Sequence, residues 1–204
     1  MLPLHSLALA SSGWNVLATD ISLIVDTVLK PNVASNPQTG AVQARELDWS
    51  VAPLAWKWND SLSITSPGSG PSETSEESDR SKPARAADMT STLPPFDLIF
   101  TSDTIFSAEL APHLLRTIQH LAHISGVSGS KVEQVLYPPA YLALENRDPL
   151  LVDKTLRQAN DVWGFEVSRV PHIKVSSAMR KGGVNWEDEE WEGVEIWRLQ
   201  LARP

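Results

Sequence analysis

Apolar residues recur along this chain in short runs that stop at an acidic residue. One run, Trp14 to Thr19, ends at Asp20. A second, Ala41 to Leu47, ends at Asp48-Trp49. The third, Phe96-Asp97-Leu98-Ile99-Phe100-Thr101-Ser102, ends at Asp103, with Phe106 just beyond. The third run, rich in Ile, Leu and Phe, suits a strand buried on both faces, as in a parallel sheet. Between the runs the spacing turns helical. Leu4, Leu7, Ala8 and Ala10, followed by Ser11-Ser12-Gly13, predict a helix over 2–12. Residues 22–30 predict a second, with Ser22 as N-cap and a break at Pro31, Asn32, Asn36 and Pro37. Leu110, Leu114, Leu115, Ile118, Leu121 and Ala122 place one apolar face on a helix over 108–124. Residues 126–131 read as a loop. A strand around Ala140–Leu144, ending at Glu145-Asn146-Arg147, a helix over 150–161 and strands at Gly164–Val170 and Val194–Leu199 follow.

Strand and helix thus alternate, which implies right-handed βαβ units and an α/β fold with a Rossmann-like, mostly parallel sheet. The last two strands, with no helical pattern between them, predict an antiparallel edge hairpin. The acidic run Glu187-Asp188-Glu189-Glu190 before the last strand reads as a solvated turn.

Composition changes this picture in one place. From Asp60 to Thr92 large apolar residues nearly vanish and Ser, Pro, Glu, Asp, Arg and Gly dominate, so residues 60–92 are expected to be a disordered insertion in a single domain spanning 1–204. A net charge of −8 and a pI near 5.1 argue against non-specific nucleic-acid binding, which needs a basic footprint. With no cysteine, disulfides, thiolate metal sites and a cysteine nucleophile are excluded. No window approaches ~18 consecutive apolar residues, so no membrane span is expected. The apolar start lacks the basic n-region of a signal peptide. These points fit a cytoplasmic, or also nuclear, monomer.

The order and spacing of these motifs resemble the seven-stranded, class I S-adenosylmethionine-dependent methyltransferases, and within them methyltransferase family 16, which contains many protein-lysine methyltransferases. The resemblance is carried by Leu2-Pro3 with Leu7–Ala10, Val16–Asp20, Asn32-Val33 and Asn36, Glu46–Trp49, Phe96–Ile99, Ser102–Phe106, Leu142–Arg147 and Gly164-Phe165. It implies methyl transfer from S-adenosylmethionine to a protein substrate, most simply a lysine. Asp20 would bind the ribose hydroxyls, as the acidic residue of dinucleotide folds does. Asp48 would meet the adenine amino group and Trp49 the ring. Ser102 would lie on the cofactor side. Asp103 and Phe106 form an acidic-x-x-aromatic motif in which the carboxylate orients the substrate nitrogen or the cofactor's methionine end and the ring lines the acceptor channel. The family opens with a strand and a Gly-rich loop ahead of the first helix, whereas this sequence starts at that helix, so the expectation is an N-terminally truncated domain.

Simpler roles compete for the same residues. Asp20 can cap the following helix, Asp48 can close a turn, Asp103 can cap the helix beginning near Ser107, and Phe106 can be core. Trp49, Trp56 and Trp58 can pack on one another. His113, His120 and His123 can share a helix face, but no carboxylate at ligand spacing joins them and no zinc signature is present, so no metal is expected. Arg147 either pairs with a carboxylate at the sheet edge or is exposed. The competing function is a catalytically inactive methyltransferase-fold binding module; a dehydrogenase is disfavoured because no second nucleotide-binding half is visible.

Overall fold

The computed structural model describes residues 3–36, 42–65, 93–128, 135–184 and 193–202. The fold is mixed α/β with open sheets, and the chain divides into two compact units, Met1–Leu93 and Pro94–Pro204. No helix among the described residues is long and apolar enough to cross a membrane.

In the first unit, helix α1 (Pro3–Ser11) stops at Gly13, whose φ of +91° favours glycine. Strands β1 (Val16–Asp20) and β2 (Val42–Glu46) pair in parallel, Val16 opposite Val42 and Asp20 opposite Glu46. Between them runs one helical stretch: α2 (Ser22–Ile24), a π-turn over Val25–Leu29, and α3 (Lys30–Ala34). Ser22 is not the N-cap; Ile21 is, with no side-chain bond. Pro31 does not break the helix either. The wide turn ahead of it, in which the Lys30 N–H bonds the Val25 carbonyl, eases the clash a proline ring makes in a regular helix. Val25 and Leu29 bury against Ala18, with Val42 and Ala44 beside them.

Part of the polar stretch expected to be disordered, residues 60–65, is built into the first unit. Ile64 is fully buried. Glu46 donates its N–H to Leu62 (3.0 Å) and accepts from Ile64 (2.8 Å), and Ile64 accepts from Lys57 (2.8 Å). A single buried isoleucine in a polar window is enough to add a short rung beside β2. Residues 66–92, the rest of the expected insertion, lie outside the described residues.

The second unit holds a four-stranded sheet in the order β3 (Ile99–Ser102), β6 (Ala140–Glu145), β8 (Val194–Leu201), β7 (Phe165–Arg169). β3 and β6 are parallel, and β8 is antiparallel to both β6 and β7. Strands β3, β6 and β7 therefore run the same way, and their carboxyl ends line one edge of this sheet. β3 is an end strand, shorter than its apolar run and not buried on both faces: Phe100 is 37 % exposed. Helix α4 (Ala111–Ile124) buries Leu114, Leu115, Ile118 and Ala122. Helix α5 (Pro149–Asp161) starts at Asp148, whose carboxylate accepts the Leu151 N–H at 3.0 Å, and packs Val152 and Leu156 on Leu144. Within the expected loop over 126–131, Val127–Ser128 is strand β4, which pairs antiparallel with β5 (Val135–Leu136) beyond it.

The expected edge hairpin needs two corrections. β7 and β8 do pair antiparallel, but helix α6 (His172–Lys181) intervenes, and β8 lies inside the sheet with β7 at its edge. Helix α6 buries none of its residues, so it leaves no apolar stripe in the sequence. The acidic run Glu187–Glu190 lies outside the described residues.

Candidate functional site

Three of the expected carboxylates stand at or just past the carboxyl ends of parallel strands. Asp20 is the last residue of β1. Its Oδ1 accepts the Ile21 N–H at 2.8 Å, and its own carbonyl accepts the Leu47 N–H at 2.9 Å. A bond to the next residue is not a helix cap, so the capping role does not apply. Burial pushes its pKa above the ordinary 3.8, with the Ile21 bond opposing.

Asp48 and Trp49 follow β2 in a tight turn. Asp48 Oδ1 accepts the Ser50 N–H (2.8 Å), and its carbonyl accepts from Val51 (3.2 Å). The turn is pinned from behind, because the Asp48 N–H donates to Oγ1 of buried Thr65 at 3.0 Å. Trp49 is half-buried. Below the turn, fully buried Arg45 donates from Nη2 to the carbonyls of Lys57, Trp58 (2.9 Å) and Asp60, and its guanidinium lies 5.9 Å from the Trp58 ring centroid. Trp56 and Trp58 meet edge to face at 5.9 Å, which bears out packing for that pair. Arg45 and Thr65 were not anticipated. The first had a signal, a lone cation inside an apolar run; the second had none.

In the second unit, Ser102 closes β3 opposite Ala143. Asp103 follows with φ +50°, the one non-glycine residue in the left-handed region among the described residues. Its N–H donates to Ala143 (2.9 Å), extending the β3–β6 ladder by one bond, and its Oδ1 accepts the Glu145 N–H at 3.1 Å. Helix α4 begins only at Ala111, so Asp103 does not cap it. Phe106 is 64 % exposed and is not core. Glu145, at the end of β6, pairs with Arg147 through Nε (2.9 Å) and Nη2. Arg147 thus pairs with a sheet-edge carboxylate, holds Glu145 below its ordinary pKa, and has its own pKa raised by Glu145 first and also by Asp103. Between them, Asn146 keeps its Oδ1 buried with no partner among the described residues. Glu145 and Asn146 were missed as site residues, because nothing in the sequence shows that β6 ends level with β3.

Of the three histidines, His123 stacks edge to face on Tyr137 at 5.3 Å, and burial with the His123 charge lowers the pKa of His120. Among the described residues no three His, Asp or Glu side chains are grouped to hold a metal ion.

No family model matches the chain, and no curated protein matches it.

Proposed function

We propose that this chain is a class I S-adenosylmethionine-dependent methyltransferase domain of the protein-lysine type. The observation that carries the reading is the set Asp20, Asp48 and Asp103, each at or just past the carboxyl end of a parallel strand and none engaged in capping a helix. Ligands of open α/β sheets bind at that edge. The strand orders support it too. A doubly wound sheet in the order 3-2-1-4-5, with strand 1 removed, leaves a parallel 3-2 pair and a parallel 4-5 pair. The first unit holds one parallel pair, and β3 with β6 are the other.

The donor set of the first unit suits a nucleoside. Asp20 is half-exposed with one oxygen engaged, and a carboxylate accepts both hydrogen bonds of a ribose diol. Asp48 and the half-buried Trp49 ring fit an adenine edge and face. S-adenosylmethionine, when bound, supplies the methyl group. Asp103 attracts and orients the acceptor amine, which must shed its proton to solvent before its lone pair can attack. The exposed Phe106 ring packs on the amine's methylene chain. Alignment and water exclusion then account for most of the acceleration of an in-line displacement. On this reading Ser102, the last residue of β3, serves the cofactor. A cytoplasmic or nuclear location accompanies this reading.

A second reading, an inactive binding module, is favoured by one observation: no Gly-rich turn follows β1, β2, β3, β6 or β7. Calorimetry separates the two. The chain extended by the sequence encoded upstream should bind S-adenosylmethionine, with Asp20→Ala weakening it by at least about tenfold, the loss of one charge-assisted contact. Absence of heat at millimolar cofactor sinks the methyltransferase reading. Methylation of cell-extract protein by the chain as it stands sinks the binding-module reading.

A further inference from the structure

Helix α6 leaves β7 at the same sheet edge that carries Asp103, Glu145 and Arg147, because β3, β6 and β7 run the same way. It is opposite in character to that edge. The helix carries Lys174, Arg180 and Lys181 and no acidic residue, in a chain of net charge −8. Val175 faces inward, bordering a small gap with Val194 and Ile196. The positions at helical spacing on the other side, Ile173, Ser176, Ser177, Arg180 and Lys181, line one open concavity of ≈ 590 Å³. Ile173 is 77 % exposed there, an apolar side chain held in water on the helix face that carries two cations about two turns further on. A local patch that reverses the sign of the whole molecule and exposes an aliphatic anchor has the make-up of an interaction surface.

We infer that this stripe of α6 is the docking surface for the methyl-acceptor protein, and that it takes an acidic segment with one apolar side chain. The inference rests on the proposed function for the word acceptor. Charge complementarity selects the occupant: Asp103 attracts the cationic nitrogen, while Arg180 and Lys181 attract carboxylates. The sheet sets the spacing. β3 and β7 are three strand intervals apart, about 14 Å, which an extended peptide crosses in roughly four residues. That interval separates the end of β3 from the end of β7, where α6 departs, so the acceptor carries its acidic and apolar residues at least about four positions from the methylated lysine, and farther where the last turn of α6 is reached. Nucleic acid fits poorly, since three cations on a single short helix give a small footprint and the remaining charge repels phosphates.

Two fluorescent peptides test this with the chain as it stands and no cofactor. One has a lysine followed five positions later by Glu-Glu-Leu; the other has Gln-Gln-Leu there. Anisotropy at low salt should give the acidic peptide about tenfold tighter binding, the scale of two exposed charge contacts with an anchor. Arg180→Glu with Lys181→Glu should erase that preference and shift it to an Arg-Arg-Leu peptide. Equal affinities, no binding of either peptide at millimolar chain, or an unaltered preference in the double variant overturns the docking surface. So does a 12-nucleotide single strand that binds more tightly than the acidic peptide. A second assay, with S-adenosylmethionine added to the same peptides, distinguishes failure of the two readings: an α6-dependent preference without methyl transfer to the lysine removes the enzyme and keeps the surface, whereas equal methylation of both peptides keeps the enzyme and removes the surface.

Discussion

The two groups of strand-end carboxylates are held in different ways. In the first unit the Asp48–Trp49 turn rests on buried groups: Thr65 holds the Asp48 N–H, Ile64 is sealed beneath, and Arg45 gathers three carbonyls of the 57–60 loop. In the second unit Asp103 and Phe106 stand in solvent, held by one side-chain bond to the β6 backbone and a left-handed φ, with an exposed ion pair alongside. A frame of buried polar contacts fixes a geometry once, and suits a small ligand of constant shape. An exposed carboxylate and ring on a short turn suit a large partner that brings its own surroundings. The strand-end turn of the first unit is thus braced from behind by buried groups, and that of the second unit is not.

The largest effect that would break this contrast is at Arg45. Arg45→Ala removes the donor to three carbonyls and leaves a cavity, and should cost about 3 kcal/mol or more, read as a lower urea midpoint. A loss under about 0.5 kcal/mol would mean the 57–60 loop holds itself, and the frame argument fails. Thr65→Val comes next. It keeps the shape and deletes one acceptor, so it should cost about 1–2 kcal/mol. Amide exchange at Asp48 should speed up about tenfold, in line with that loss, and Thr65→Ser should restore it. Unaltered exchange in Thr65→Val would show that the turn does not depend on the 60–65 segment.

These two residues also mark where the sequence was readable. β1 and the helices α4 and α5 are visible as apolar runs and stripes because each buries apolar residues. The strand-end acids are visible because a carboxylate is costly to bury unpaired and so marks the end of an apolar run. Ser63, Ile64 and Thr65 were hidden, since three buried residues, one of them apolar, cannot shift the composition of a polar window. Helix α6 was hidden for the opposite reason: it buries nothing, so periodicity carries no trace of it. The partnership of Asp103 with the Glu145 N–H, 42 residues on, was also illegible, because register between distant strands is a tertiary property.

At Asp103 two substitutions separate charge from conformation. Asparagine tolerates the left-handed region and keeps an acceptor for the Glu145 N–H, so Asp103→Asn should leave the urea midpoint within about 0.5 kcal/mol of the parent. It should still abolish the advantage of a lysine peptide over its acetyl-lysine counterpart in anisotropy. Valine, β-branched and unable to bond, should cost about 1–3 kcal/mol. If Asp103→Asn keeps the preference for the charged lysine, Asp103 is a turn residue and the open site has lost its anchor.

The smallest effect is the most diagnostic, because the two regions should respond to acid with opposite signs. Asp20 has its pKa raised by burial, so the folded state holds that proton more tightly than the unfolded chain. Its contribution to stability therefore falls as pH rises from the ordinary 3.8 through the raised value, and acid favours the fold there. Glu145 is depressed by Arg147, so its contribution is present above the ordinary 4.5 and is lost as pH falls through the lowered value. Denaturation midpoints followed across the acid range should show each slope disappear separately. Asp20→Asn should flatten the segment above 3.8, and Arg147→Ala the segment below 4.5. Both changes should be modest, since Asp20 is only half-buried and the Glu145–Arg147 pair is exposed and screened. Cofactor binding should follow the first group alone: an acid-range loss of affinity that sets in above the ordinary carboxylate value and vanishes in Asp20→Asn ties the ribose contact to this carboxylate. A loss of affinity that instead follows Arg147→Ala would move the donor site to the second unit and reverse the comparison.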